Sequence, residues 1–262
     1  MMNPHAVREA AGILLAHWRG TTRLAALPDA VRPRDRADGY AIQAELACLS
    51  GQPGAGWKIA ATSTAGQRHI GVDGPLAGRL LADRMLPGGA EIALAGNGMR
   101  VAELEFGFRI ARALPRRDAP YTTAEVLAAV ETLHLTIEIP DSRYDDFERA
   151  GAPQLIADFA CANRLVVGPP ITLDWRSRDL AAHAACARVN GAVVAHGSGA
   201  NVLGDPREAL AWIANELRVH ADGLAAGDLV TTGTCVVPVP VSPGDDVEAD
   251  FGDFGTLRAR LR

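Results

Sequence analysis

Lysine is nearly missing from this sequence: of 26 Lys and Arg residues, Lys58 is the only lysine. An excess of positive charge is missing too. The net charge is -5, which argues against a general nucleic-acid binder, since such proteins carry a basic stripe. The one local cluster, Arg32, Arg34 and Arg36, reads as a solvated loop rather than a phosphate site. Paired cysteines are absent. Cys48, Cys161, Cys186 and Cys235 lie far apart with no CxxC among them, so no zinc knuckle or redox dithiol can be read from them. Apolar stretches such as residues 12–16 and 224–226 are far too short to span a bilayer. The N-terminus shows no basic stretch followed by an apolar run and a cleavage site, so no secretory signal is expected. These absences point to a cytoplasmic protein with neither membrane nor nucleic-acid partners.

What is present is an ordinary core. The apolar share of 48% and the charged share of 22% are those of a soluble globular protein. A chain of 262 residues buries enough apolar surface to fold without a disulfide or a metal. Residues 6–18 put Ala10, Ile13, Leu14 and Trp18 on one helical face. A second amphipathic run, 40–49, follows Asp38 as its expected cap. After Lys58 the pattern changes to short alternating segments at 100–110, 133–139, 165–167, 187–194, 229–241 and 247–261. Helices are expected at 123–133, with Thr122 or Thr123 as cap, and at 206–220, opened by Asp205-Pro206. The order is strand-rich α+β, not the strict alternation of a Rossmann fold. It implies a single catalytic domain over 1–262, with a helical N-terminal region (1–55) and a β-rich core (56–262).

Three places hold side chains with chemistry in them. Lys58 sits in an apolar context, Gly56-Trp57-Lys58-Ile59. Arginine keeps its proton in a protein whereas a desolvated lysine can lose it, so a lone lysine among arginines invites a proton-transfer role beside the plainer reading of a surviving surface residue. Trp57 and the apolar flanks are expected to lower its pKa. In 101–108, Leu104, Phe106 and Phe108 share one strand face and Glu103 and Glu105 the other, their β-carbons about 6.5 Å apart. Taken alone this equally describes two solvated glutamates on a half-exposed strand. In 133–139, His134, Thr136 and Glu138 share the polar face, and roughly 13 Å of strand keeps His134 from joining Glu138 on one ion. Three converging carboxylates repel unless a cation lies among them, and an all-oxygen set suits Mg²⁺ or Mn²⁺.

The runs Gly56-Trp57-Lys58-Ile59, Gly71-Val72-Asp73-Gly74-Pro75, Glu103-Leu104-Glu105-Phe106 and Glu138-Ile139-Pro140-Asp141-Ser142-Arg143 together carry a resemblance. It continues through Asp158, residues 201–206, 226–228, 232–234, 243–245 and 251–252. The sequence resembles the 2-oxo-4-pentenoate hydratase and oxalocrotonate decarboxylase branch of the fumarylacetoacetate hydrolase superfamily. The resemblance implies a mixed β-sheet roll with a helical N-terminal region and a homo-oligomer. It also implies a cation on Glu103, Glu105 and Glu138, with Lys58 as the catalytic proton carrier. Ser63, Asp73 and Thr234 are the candidate substrate contacts, with an ordinary turn-forming alternative for Ser63 and Thr234 and a structural ion pair as the alternative for Asp73. The implied substrate is a small 2-oxo acid of aromatic-compound catabolism, and the implied reaction a hydro-lyase adding water to a 2-hydroxypenta-2,4-dienoate. The alternative is decarboxylation of a 2-oxo-3-enedioate, or, further off, hydrolysis of a diketone carbon–carbon bond, for which no Glu–His pair presents itself.

The sequence also departs from that pattern. Hydratases of this branch commonly carry an acidic residue where this chain has Leu76, a position more often apolar in related decarboxylases. Phe159-Ala160-Cys161 stands where relatives often show Asn-Ala-Ser. Cys161 reads as an inert core residue and Arg143 as a structural ion-pair partner. A Schiff base on Lys58 and a non-catalytic binder remain as other classes. Residues 62–78 are the candidate lid.

Overall fold

The computed structural model describes residues 2–262. The N-terminal region is a helical pair, α1 (Pro4–Gly20) and α2 (Arg36–Ser50). Asn3 caps α1, accepting from Ala6 N. Asp35, not Asp38, caps α2 and accepts from Asp38 N, so the helix begins four residues before the expected start. Asp38 instead accepts from the backbone N–H groups of Met2 and Arg34, closing the entry of the chain.

The remainder alternates strands and short helices. First come β1 (Gly54–Ala60), α3 (Thr64–His69), β2 (Leu76–Leu81), β3 (Met85–Pro87) and β4 (Glu91–Ile92). Then follow β5 (Val101–Ile110), β6 (Leu114–Pro115), α4 (Thr123–Leu127), β7 (Val130–Ile139), α5 (Ala152–Ala157) and β8 (Arg164–Pro170). The last third holds β9 (Ala184–Val189), β10 (Ala192–Ser198), α6 (Pro206–His220), β11 (Gly223–Leu224) and β12 (Leu229–Thr234). It closes with β13 (Val239–Pro240), β14 (Asp246–Asp250) and β15 (Thr256–Leu261).

The principal sheet runs β2-β1-β12-β5-β7-β8-β3, with β13 added to β5. It is mixed, because β1–β12 and β8–β3 are parallel while the central pairs are antiparallel. A second sheet runs β10-β9-β14-β15-β4. Leu104, Phe106 and Phe108 of β5 and Leu133, Leu135, Ile137 and Ile139 of β7 are all buried, which is the apolar face that the alternation predicts. The α+β assignment and the curled mixed sheets agree with the expected roll.

Four segments differ from expectation, two of them because 229–241 divides into β12 and β13 and 247–261 into β14 and β15. Residues 187–194 do not form one strand: Asn190 (φ 51°) and Gly191 (φ 81°) turn the chain into the β9–β10 hairpin. An Asn-Gly pair supplies the two positive φ values that such a turn needs. The helix expected over 123–133 stops at Leu127, because 130–133 already pair with β5. Its start is as expected, a capping box between Thr122 and Glu125.

Candidate metal centre and the buried lysine

Strand register brings the acidic residues together. Glu103 on β5 lies directly opposite Glu138 on β7, and Glu105 is two residues along on the same face. Like charges directly across an antiparallel pair are destabilising, so this pairing needs compensation from elsewhere. One carboxylate oxygen from each of the three lies within 4.8 Å of the others. Glu105 and Glu138 are fully buried and Glu103 is half-buried, which places the open side of the cluster at Glu103.

Lys58 reaches the same cluster from β1, two strands away across β12. It is 3% exposed. Its Nζ lies 3.2 Å from Glu138 Oε2 as an ion pair and donates to the carbonyl of Ala160 at 3.2 Å. Burial alone would push its pKa down, as expected from the sequence. The fields of Glu138, Glu103 and Glu105 outweigh burial, however, and leave the pKa raised. The expected lowering is therefore corrected for the ion-free protein, where Lys58 is an ammonium. The carboxylates are displaced in the opposite sense to an ordinary ion-paired acid. Burial, reinforced by Glu103, lifts Glu105 to about 7 against the pull of Lys58, Thr231 and Gly233. Burial lifts Glu138 well above the usual carboxylate range, with Glu105 and Glu103 adding to it and Lys58 opposing.

Glu105 is held by a feature of β12 that the sequence reading missed. The β12–β5 register shifts between Thr231 and Thr234, so the strand bulges at Thr232-Gly233. The bulge turns the Gly233 N–H onto Glu105 Oε2 at 2.9 Å, and the Thr231 hydroxyl donates to the same oxygen. Gly233 has φ 101°, and a β-carbon there would lie 2.2 Å from Thr62 Oγ1, so the position requires glycine. A glycine inside a strand pattern is the available signal for such a bulge.

Among the described residues, Glu105 Oε1 and Glu138 Oε1 are buried without any partner, and Glu138 Oε2 has only its ion pair with Lys58. A buried carboxylate oxygen without a partner is costly, and two of them beside a third held only by Lys58 are satisfied together by a hard cation. The donor set is all oxygen, which fits Mg²⁺ or Mn²⁺ and not zinc. The residues present therefore fit the group that the sequence implies.

The wall beyond Lys58 is an unusual turn. Phe159 (φ 53°), Ala160 (φ 48°) and Cys161 (φ 65°) are three consecutive non-glycine residues in the left-handed region, at about 1–2 kcal/mol each. The turn is over-determined by the buried Arg143–Asp158 ion pair. Asp158 Oδ2 also accepts from Ser142 Oγ (3.0 Å) and Arg143 N (2.8 Å), while Arg143 Nη2 donates to the Asp158 carbonyl at 2.9 Å. Cys161 is buried, and burial pushes its thiol up to about 12, consistent with the inert reading.

The three expected substrate contacts are placed differently. Ser63 is the N-cap of α3, its Oγ accepting from Gly66 N at 3.0 Å. Thr234 Oγ1 donates to the Val236 carbonyl at 2.8 Å and accepts from Leu104 N, so its hydroxyl is engaged beside β5. Asp73 is exposed on the turn between α3 and β2. His134, read as structural, is bonded to the Gly168 carbonyl and Thr132 Oγ1 on the outer part of β7. Leu76, in place of the usual acid, is fully buried on β2 opposite Ala60. No helix among the described residues is long and apolar enough to cross a membrane.

Comparison with known proteins agrees with this architecture. Residues 81–262 match the family model described as fumarylacetoacetate (FAA) hydrolase C-terminal. The chain is 31% identical over 263 residues to a 2-keto-4-pentenoate hydratase of Paraburkholderia xenovorans (strain LB400), covering 99% of this chain and 96% of that protein. It is 30% identical over 228 residues to a 4-oxalocrotonate decarboxylase of Pseudomonas sp. (strain CF600), covering 86% and 85%. Among solved structures, the 4-oxalocrotonate decarboxylase from Pseudomonas putida G7 complexed with magnesium and adipate superposes with a TM-score of 0.90 at 26% identity, covering 100% and 99%.

Proposed function

The chain belongs to the fumarylacetoacetate hydrolase family, and from that premise we propose that it is a metal-dependent hydro-lyase adding water to a 2-hydroxypenta-2,4-dienoate-like acid to give a 4-hydroxy-2-oxo acid. The observation that carries the reading is the convergence of three glutamates, two of whose buried oxygens have no partner, beside the only lysine of the chain. Glu103, Glu105 and Glu138 would hold Mg²⁺ or Mn²⁺, with the magnesium in the solved relative's complex in support of the first. Such an ion, when bound, supplies Lewis-acid stabilisation of the enolate form of a 2-oxo acid.

The chain's own groups supply the rest. Thr231 and Gly233 fix one oxygen of Glu105 so that the other faces inward. Lys58 holds a proton at Nζ, buried between Glu138 and the Ala160 carbonyl, and is the group that would exchange it with a substrate carbon. The Ala160 carbonyl keeps Nζ oriented while that proton is in transit. The same reading includes a homo-oligomer, which light scattering would test.

One observation favours a second reading. Leu76 removes the acid that hydratases of this branch commonly use, which leaves decarboxylation of a 2-oxo-3-enedioate open on the same groups. Purified protein with Mg²⁺ is expected to consume the diene of 2-hydroxypenta-2,4-dienoate and yield the 4-hydroxy-2-oxo acid. Release of CO₂ from 2-oxo-3-hexenedioate with no turnover of the diene would replace the hydratase by the decarboxylase.

A further inference from the structure

Trp18 stands near the end of α1, half-buried, remote in sequence from every residue of the site. The guanidinium of Arg143 lies 4.6 Å from its ring centroid and that of Arg84 4.8 Å. Its ring also meets Phe159 edge-on, with centroids 5.2 Å apart. Two cations and one aromatic edge thus converge on a single indole, whose electron-rich face suits guanidinium groups.

Both Arg143 and Phe159 belong to the frame of the left-handed turn. Arg143 grips Asp158 at its start through side chain and backbone. Phe159 is its first residue, and the Asp141 N–H holds the Cys161 carbonyl at its end, 2.9 Å away. The middle residue supplies the Ala160 carbonyl that accepts from Lys58 Nζ. The close approach is built in on the other side as well. Gly78 pairs with Lys58 across β2 and β1, and a β-carbon at Gly78 would fall 1.8 Å from the Phe159 carbonyl oxygen. Trp18 thus packs against two of the groups that frame the turn, Arg143 and Phe159.

We propose that Trp18 is a positioning residue for Lys58: through Arg143 and Phe159 it holds the left-handed turn whose Ala160 carbonyl aims the ammonium at the carboxylates. The N-terminal helical region then acts in proton transfer without touching substrate. This rests on the reading of Lys58 as the proton carrier, but its structural half is measured without activity.

A chain with one lysine gives one ε-carbon signal when grown on lysine labelled with ¹³C at that atom. Trp18→Leu is expected to move that signal and to speed reductive methylation of Lys58, mapped by mass spectrometry, about 10-fold, since the amine loses its fixed acceptor. The kcat is expected to fall about 10-fold with KM changed by less than about 2-fold, the mark of a group acting in the reacting state. Mg²⁺ affinity is expected to stay at the wild-type value, because no carboxylate is disturbed. Trp18→Phe, which keeps an aromatic face under Arg143, is expected to restore signal, methylation rate and kcat. Should Trp18→Leu not fold, Phe159→Leu removes only the edge contact and is expected to move the lysine signal in the same direction by less. An unmoved signal and a wild-type methylation rate in a folded Trp18→Leu or Phe159→Leu protein overturn the proposal. A wild-type protein that turns over neither substrate overturns the functional reading alone, and the lysine signal still decides the positioning.

Discussion

Arg143 with Asp158, and Lys58 with three glutamates, are two buried ionic clusters joined by one turn, and they are built to opposite rules. In the first, one cation faces one anion and the hydrogen-bonding capacity is used: Asp158 accepts from Arg143 and Ser142, and its carbonyl takes a further guanidinium N–H. In the second, one cation faces three carboxyl groups, and two buried oxygens have no partner. The first cluster is complete as a piece of architecture. The second is complete only with a further positive charge, and the protein retains it at a cost to its own stability, which is what a ligand site requires. Burial alone does not separate structure from function here; saturation does.

The comparison can be broken most severely at Glu138. Glu138→Gln is expected to weaken Mg²⁺ binding and lower kcat/KM by at least about 100-fold, beyond the loss typical of a residue that merely supports a ligand. The ion-free protein is expected to melt at the same temperature or higher, because a neutral amide is spared the burial penalty of a carboxylate and its oxygen still accepts from Lys58. Asp158→Ala is the mirror case. It leaves Arg143 buried and unpaired, and is expected to cost about 3–5 kcal/mol in urea unfolding. If both variants lose stability alike, the distinction between the clusters fails.

A smaller effect sharpens it. Thr231→Val removes one donor from Glu105 and leaves the three carboxylates in place. Mg²⁺ affinity by calorimetry is expected to fall about 10-fold, with little change in ion-free stability. The smallest expected effect is in pH. Glu105 and Glu138 have folded-state pKa values raised above their unfolded ones, so the stability they contribute is present at low pH and is lost as pH rises, for Glu105 through about 7. Thermal melts in EDTA are expected to fall in temperature from about pH 5 to pH 8, and to flatten when Mg²⁺ is in excess.

Much of the site was legible because strand alternation is a strong constraint. Period-two spacing put Glu103 and Glu105 on one face and separated Glu138 from His134, and the register of β5 on β7 then needed only to align them. What spacing does not encode is partnership between distant strands. The β12 bulge that fixes Glu105 depends on a one-residue shift against β5, visible beforehand only as a glycine among threonines. The left-handed turn at Phe159–Cys161 was illegible for a plainer reason. None of its residues is glycine or asparagine, so its shape comes from Asp158, Arg143 and Gly78, of which only Asp158 is a neighbour in sequence. The β9–β10 hairpin carried its Asn-Gly signal openly, and was merged into one strand because apolar residues flank it on both sides.

The most direct test is a calorimetric titration of Mg²⁺ into chelator-treated protein near neutral pH, repeated in two buffers of different ionisation enthalpy. The expected result is saturable binding of one ion per chain with release of protons, because Glu105 and Glu138 must lose theirs to ligate. Saturation without proton release, or no binding while all three glutamates are intact, would contradict the account.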